Sequence, residues 1–333
     1  MNSFHKNVRW LFQTLAFAFL SAFCAVGAET GTAPVSADGE SAPDQEFPAP
    51  PDNVSLLTEF QTVDSPLMTQ YTESVRCPAF QAVNLSLTQN ETLTYDMKAL
   101  GMTLGQTTLE VLGLSLGDTL VYGKPAPPVY SLRQTMTLDV NLLFKKFKSS
   151  IRIESDIDAR QGFMRRASMV QDEEGSQKTL TIQYYPADES TGAPERYVYI
   201  EDYRSDEKGK RFACSTPLTG TGPGLDIVSV LYYIRGIDLK PGDTRQISVY
   251  ADGRLWKSEV AALRERQGPV LSLGERALLD IEIRGTFKGI FSRGGKLKVS
   301  IDKETKIPVL FELDLPVVTG TIELRKTKNS ALR

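Results

Sequence analysis

The sequence predicts an all-β fold: a large curved antiparallel sheet, a barrel or half-barrel of about 12–14 strands, with one or two short helices. Three observations lead there. Apolar and polar residues alternate with period two from Thr92 almost to the end of the chain. Turn-forming residues interrupt that alternation at short intervals, as at Gly162, Glu174-Gly175-Ser176, Pro241-Gly242-Asp243, Asp252-Gly253 and Gly294-Gly295. The chain is also long enough for a real core, with 333 residues of which 41% are hydrophobic.

In chain order, Met1 to Ala28 reads as a secretory signal. Lys6 and Arg9 form its positive start, Leu15 to Phe23 its apolar centre, and Val26-Gly27-Ala28 a small-residue cleavage site. Cleavage after Ala28 predicts a periplasmic or secreted protein that does not span the membrane. Retention of the segment as an anchor is the alternative. Residues 29–74 carry nine acidic side chains, no Lys or Arg, and prolines at 34, 43, 48, 50, 51 and 66. Such a stretch buries too little apolar surface to offset its ordering entropy, so it reads as an acidic, Pro-rich disordered tether. The domain is expected over residues 75–333.

Within that domain, Tyr197, Tyr199 and Tyr203 share one strand face. Leu279 to Arg284, Lys296 to Asp302, Val309 to Leu315 and Thr321 to Arg325 each alternate as half-buried strands do. Asp252-Gly253 lies between two such runs and predicts a tight hairpin. Two segments depart from the pattern. Leu138, Leu142, Leu143 and Phe147 stand at helical spacing, which predicts a short helix over Leu138 to Lys148. Asp226 to Arg235 is the second, with Asp226 as its N-cap and Asp226, Ser229, Tyr232 and Arg235 on one stripe. Gly101 to Gly105 is echoed by Gly113 to Gly117, glycines of the kind that mark bulges and bends in a curved sheet.

The formal net charge is -3, which gives no pull toward nucleic acid. Without the signal and the tether, 36 basic residues face 32 acidic ones, so the domain is opposite in sign to its tether. The single histidine, His5, lies in the signal. The mature chain therefore lacks the imidazole that Ser-His-Asp and Cys-His catalysis and His-ligated zinc require. No Walker loop, CxxC pair or dinucleotide fingerprint is present, and no metal site, cofactor or catalytic residue is expected. Asp156 with Asp158 and Glu201 with Asp202 are the carboxylate pairs, the first on one solvated strand face and the second on opposite faces. Cys77 and Cys214 remain after processing, and an oxidising compartment favours a disulfide between them over two separate thiols.

Two groups could meet a ligand. Lys145, Lys146 and Lys148 interleave with Phe144 and Phe147, as a lipid-headgroup patch would. Arg235 could face an anion, although the Asp226, Ser229, Tyr232, Arg235 stripe reads first as a structural network between helix and sheet.

Several stretches resemble one family when taken in order. They are Asn90 to Tyr95 followed by Gly101 and Gly105, then Asp226 to Arg235, then Pro241-Gly242. Gly289-Ile290-Phe291, Ser300-Ile301-Asp302, Pro308-Val309 and Gly320 follow. Together they resemble the DUF3108 family over about residues 85–330. That resemblance implies an exported, β-rich protein without an established activity. A looser similarity of architecture links it to lipoprotein-carrier folds of the envelope. Two expectations follow. One is a non-enzymatic periplasmic or envelope protein that binds a lipid or other hydrophobic ligand in a barrel-like cavity. The other is a structural or assembly factor that meets another envelope protein through a sheet edge or basic surface.

Overall fold

The computed structural model describes residues 80–328, apart from 100, 116–119, 122–123, 126, 143–144, 174–175, 188–191, 193, 205–209, 219–221, 252–253, 272, 286–295 and 315–318. The strands are β1 (Thr92–Ala99), β2 (Met102–Ser115), β3 (Leu120–Val121), β4 (Lys124–Pro125), β5 (Val129–Leu142), β6 (Lys145–Asp158), β7 (Met164–Glu173) and β8 (Ser176–Tyr185). They continue as β9 (Arg196–Arg204), β10 (Lys210–Pro217), β11 (Thr244–Ala251), β12 (Arg254–Val270), β13 (Gly274–Gly285), β14 (Lys296–Asp302), β15 (Pro308–Asp314) and β16 (Thr319–Lys328). One helix, α1 (Ile227–Arg235), separates β10 from β11.

Fourteen strands form one antiparallel sheet in the order β10-β9-β8-β7-β6-β5-β2-β1-β16-β15-β14-β13-β12-β11, and β3 pairs β4 apart from it. The sheet curves without closing, as the sequence predicts. Alternation sets its faces. In β1, Leu93, Tyr95, Met97 and Ala99 are buried while Thr92, Thr94, Asp96 and Lys98 are half-exposed. Bulges at Leu104 and Leu112 in β2 and at Leu263 in β12 bend the long strands. Gly105 sits beside the first of these because a Cβ there would lie 2.0 Å from the Thr137 carbonyl oxygen. Ala251 faces Arg254 across a two-residue connection, the hairpin that Asp252-Gly253 predicts.

The predicted helix over Leu138 to Lys148 is not formed. Residues up to Leu142 belong to β5 and those from Lys145 to β6, paired directly as Leu142 with Lys145. Leu138 points to the core together with Leu132, Gln134 and Met136, so the true period here is two. Gly117, Gly289-Ile290-Phe291 and Gly294-Gly295 lie outside the described residues, as do the signal, the tether and Cys77.

The concave face is filled from within. Val228 to Ile234 of α1 are all buried, so this short helix is enclosed on every side and fills the hollow instead of floating on it. Around it pack Tyr95, Tyr197, Tyr199, Tyr250, Phe163 and Phe311, each almost wholly excluded from solvent. The chain entering α1 ties the edge strand β11 to β7, an interior strand of the other half of the sheet. Leu225 pairs with Val249 of β11 in a parallel bridge, and its neighbour Gly224 accepts the Met164 N–H of β7 at 3.0 Å. Tyr197 donates to the Met164 carbonyl at 2.9 Å, accepts from the Gly224 N–H at 3.1 Å, and lies 4.7 Å from the Tyr250 ring. On the convex face of β9, Val198 and Ile200 form a separate apolar cluster with Tyr185 and Ala213.

Candidate functional site

The polar stripe of α1 is built into the interior. Asp226 adopts an extended backbone, and its Oδ1 accepts the N–H groups of Val228 and Ser229 at 2.8 and 3.1 Å. The Ser229 hydroxyl in turn accepts from the Asp226 N–H at 2.8 Å, completing a capping box. Asp226 Oδ2 accepts from Ser155 of β6 at 2.5 Å, which fixes the helix start to the sheet. Burial raises the Asp226 pKa above the usual carboxylate range, and the bonds from Ser155, Ser229 and Val228 hold part of that rise back.

At the other end of α1, Arg235 makes a bidentate pair with Glu91, at 2.5 and 2.9 Å. Glu91 is fully buried and the Arg235 side chain is 9% exposed. Burial alone would lower the Arg235 pKa, but the Glu91 hydrogen bond and charge more than offset it, so the group is raised and stays charged. Its guanidinium also lies 5.2 Å from the Tyr232 ring centroid. The Tyr232 hydroxyl is buried without a hydrogen-bond partner among the described residues. Burial pushes that phenol, and Tyr95 beside it, well above the ordinary tyrosine range. The anion that Arg235 meets is thus internal. Glu91 is the residue that the sequence reading did not pair with it, although it lies in the stretch before β1 that had drawn notice.

Where α1 ends, a pocket of about 240 Å³ opens between the following chain and the β13–β14 region. Its floor is Ile234, Ile237, Leu239, Leu279 and Ile301, all buried core residues. Its rim is charged and consists of Asp238, Lys240, Glu265, Lys303 and Lys306. Lys303 pairs with Glu265 at 2.5 Å, and Lys306 with Asp238 at 3.8 Å. All four side chains are at least 40% exposed, so these pairs hold the rim together only weakly. Neither Arg235 nor Lys145, Lys146 or Lys148 lines this pocket. The three lysines open β6, where Lys148 is exposed and the side chains of Lys145 and Lys146 lie outside the described residues. The sequence reading missed the rim residues, because Lys303 and Lys306 look like ordinary turn residues between two strands.

The carboxylate pairs do not face one another across a cleft. Asp156 accepts from Ser131 at 2.7 Å. Asp158 is buried, contrary to the solvated strand face that alternation predicts, because β6 ends there in a tight loop. Its Oδ1 takes the N–H groups of Arg160 and Gln161, and its Oδ2 pairs with Arg165 at 2.8 Å. Glu201 pairs with Lys178 at 2.6 Å. Cys214 lies in β10 opposite Tyr199, its side chain outside the described residues. Among the described residues, no group of three His, Cys, Asp or Glu side chains could hold a metal ion. No helix there is long and apolar enough to cross a membrane.

Solved structures similar to this chain include a beta-barrel-like protein of domain of unknown function DUF1849 from Brucella abortus. It has a TM-score of 0.48 and 11% identity, covering 74% of this chain and 99% of that one. A protein with a YmcC-like fold described as exported, from Bacteroides fragilis, has a TM-score of 0.27 and 9% identity, over 74% of this chain and 100% of its own. One described as a lipoprotein, from Parabacteroides distasonis, has a TM-score of 0.25 and 6% identity, over 74% and 99%. No curated protein matches the sequence. The model of the family DUF3108, a protein family of unknown function, matches residues 94–326, which run from within β1 to within β16, and the chain belongs to that family.

Proposed function

We propose that this chain is a non-enzymatic protein of the cell envelope that binds the apolar part of an amphiphilic molecule in the pocket at the end of α1. The observation that carries this reading is the combination of an apolar floor with a lysine-bearing rim. The volume, about 240 Å³, is below the ordinary range for whole small-molecule ligands, so the site suits the end of one chain and leaves the head outside. The space inside the curved sheet, where the sequence suggests a barrel-like cavity, is occupied by α1 and its neighbours. Export through Met1 to Ala28 belongs to the same reading.

The test is native mass spectrometry of the chain isolated gently from its own envelope. An intact mass beginning at Glu29 with a discrete adduct lost on organic extraction is expected. A bare mass, unchanged after incubation with decanoate, overturns the binding reading. One observation favours a second reading in that event. β10 pairs only with β9 among the described residues and ends the sheet, which is the geometry that accepts a strand from a partner.

A further inference from the structure

The sheet contains the same strand order twice. β8-β7-β6-β5-β2-β1 is followed directly by β16-β15-β14-β13-β12-β11. The correspondence extends to particular residues, although strand lengths differ. β1 and β11 each span eight residues and enter a two-residue connection, with Ala99 facing Met102 and Ala251 facing Arg254. The second strand of each unit bulges at a matching leucine, Leu112 and Leu263, which are 36% and 41% exposed, while β2 has a further bulge at Leu104. Before each unit lies one turn. Glu91 N–H bonds to Thr88 carbonyl as Asp243 N–H does to Lys240 carbonyl, and the third residue, Asn90 or Gly242, is left-handed in both. The bond from Asn90 to Val111 matches that from Gly242 to Ala262, and Val111 to Glu91 matches Ala262 to Asp243.

The loops Asp158 to Phe163 and Asp302 to Ile307 are also alike. In each, the aspartate Oδ1 accepts the N–H groups two and three residues on. The aspartate carbonyl accepts the N–H four on, and its N–H meets the carbonyl five on. Ala159 N–H reaches the Pro128 carbonyl as Lys303 N–H reaches that of Ala277.

This alignment shows what differs at the pocket. In the first unit, Val83 and Leu85 donate to the carbonyls of Gln161 and Ala159 and lie directly on the loop. Tyr130 adds bulk and accepts from the Leu87 N–H at 3.4 Å. In the second unit the counterpart of Leu85 is Ile237, whose N–H closes the end of α1 by bonding to Ile234. The counterpart of Tyr130 is the smaller Leu279. The pocket opens where Leu279 stands for Tyr130 and where the chain at Ile237 bonds back to α1 instead of to the loop. Its floor stays apolar, but the rim has changed. Ser86, Thr88, Leu114, Ala159 and Gly162 correspond to Asp238, Lys240, Glu265, Lys303 and Lys306. Lys306 holds φ 59 where its twin is a glycine at φ 82. Glycine reaches that conformation at less cost than lysine does, so Lys306→Gly fits the loop without strain.

We infer that the domain is a duplicated six-strand unit, and that the second copy has turned the place its twin fills into a site for a single-chain amphiphile with an anionic head. The rim carries three lysines against two carboxylates, and both ion pairs are exposed enough to reopen toward a carboxylate or phosphate. The inference rests on the pocket-binding reading above and adds the class of head group.

Titration calorimetry of the mature chain with decanoate, decyl phosphate and uncharged decan-1-ol separates the two. Both anions are expected to bind at least about threefold more tightly than the alcohol, the scale of one exposed charge contact. Lys306→Gly, the twin's own residue, is expected to remove about threefold of that preference and leave decan-1-ol unchanged. Leu279→Tyr, which restores the twin's filler, is expected to abolish all binding with the melting curve retained. Equal binding of all three ligands, unaffected by Lys306→Gly, overturns the anionic assignment and leaves the pocket reading standing. Binding of none overturns both. Should Leu279→Tyr fail to fold, the Lys306→Gly comparison on the exposed loop still decides the head-group claim.

Discussion

Replacing Glu91 by glutamine would leave the Arg235 guanidinium buried without its counter-charge. Both side chains are almost fully excluded from water, and the contact is bidentate. Arginine does not relieve the loss by deprotonating. At an effective dielectric near 20, two unit charges about 4 Å apart attract by about 4 kcal/mol. Breaking one side of a buried pair costs about 3–5 kcal/mol, because the remaining charge stays desolvated. For a folded region of this size that is a fall in melting temperature of roughly 6–20 °C, at about 2–4 °C per kcal/mol. Urea unfolding followed by circular dichroism measures the free-energy loss, and a thermal melt the shift. Arg235→Met should cost a similar amount, and Glu91→Leu with Arg235→Met should recover most of it, since an apolar pair needs no solvation. Losses under about 1 kcal/mol in both single variants, or a double variant as poor as their sum, would refute the claim that this pair locks the end of α1 to the base of β1.

Three further outcomes follow from the packing. Asp226→Ala should lower stability by about 1–2 kcal/mol in urea unfolding, since it removes the cap from Val228 and Ser229 and leaves Ser155 unpartnered, whereas Asp226→Asn should retain most of the cap. Gly105→Ala should cost at least about 1–3 kcal/mol because the new Cβ meets backbone at Thr137, while Gly101→Ala, in open space at φ 75, should cost only about 1 kcal/mol. The Asp280 pKa lies below the usual carboxylate value; burial pushes it up, but Ser300, Arg264 and Arg266 more than offset that. Its contribution is therefore complete above about pH 4, the unfolded value, and fades as pH falls through the folded one. Asp280→Asn should flatten that acid limb of a stability-against-pH curve, and an unchanged limb would show that the pairing contributes nothing.

The sheet was legible because most core positions on β1, β8, β13 and β14 carry apolar residues at strict alternation, and tight connections follow Ala251 and Glu173. Asp226 was legible as a cap because its chemistry is local. β5 was misread because Gln134 occupies an inward position and hides the period, while the turn after Leu142 is apolar and has no glycine, asparagine-glycine or proline to announce it. Glu91 and Arg235 are 144 residues apart, and nothing local couples them. The pocket was illegible for a different reason. The two units share hydrogen-bond roles more than residue identities, so Asn90 stands for Gly242 and Gly162 for Lys306, and the repeat emerges only from the pairing register.

The seam between the two units has a consequence for assembly. β1 pairs with β16, so the first strand of the sheet waits for one that lies more than two hundred residues later. The hairpin ladders within each unit are local, but β1 keeps one open edge until β16 is delivered. Such distant pairing makes folding slow. It also makes Thr319–Lys328 a point of failure, because losing those ten residues would bare the edges of β1 and β15 together and offer two sticky strands to other copies of the chain.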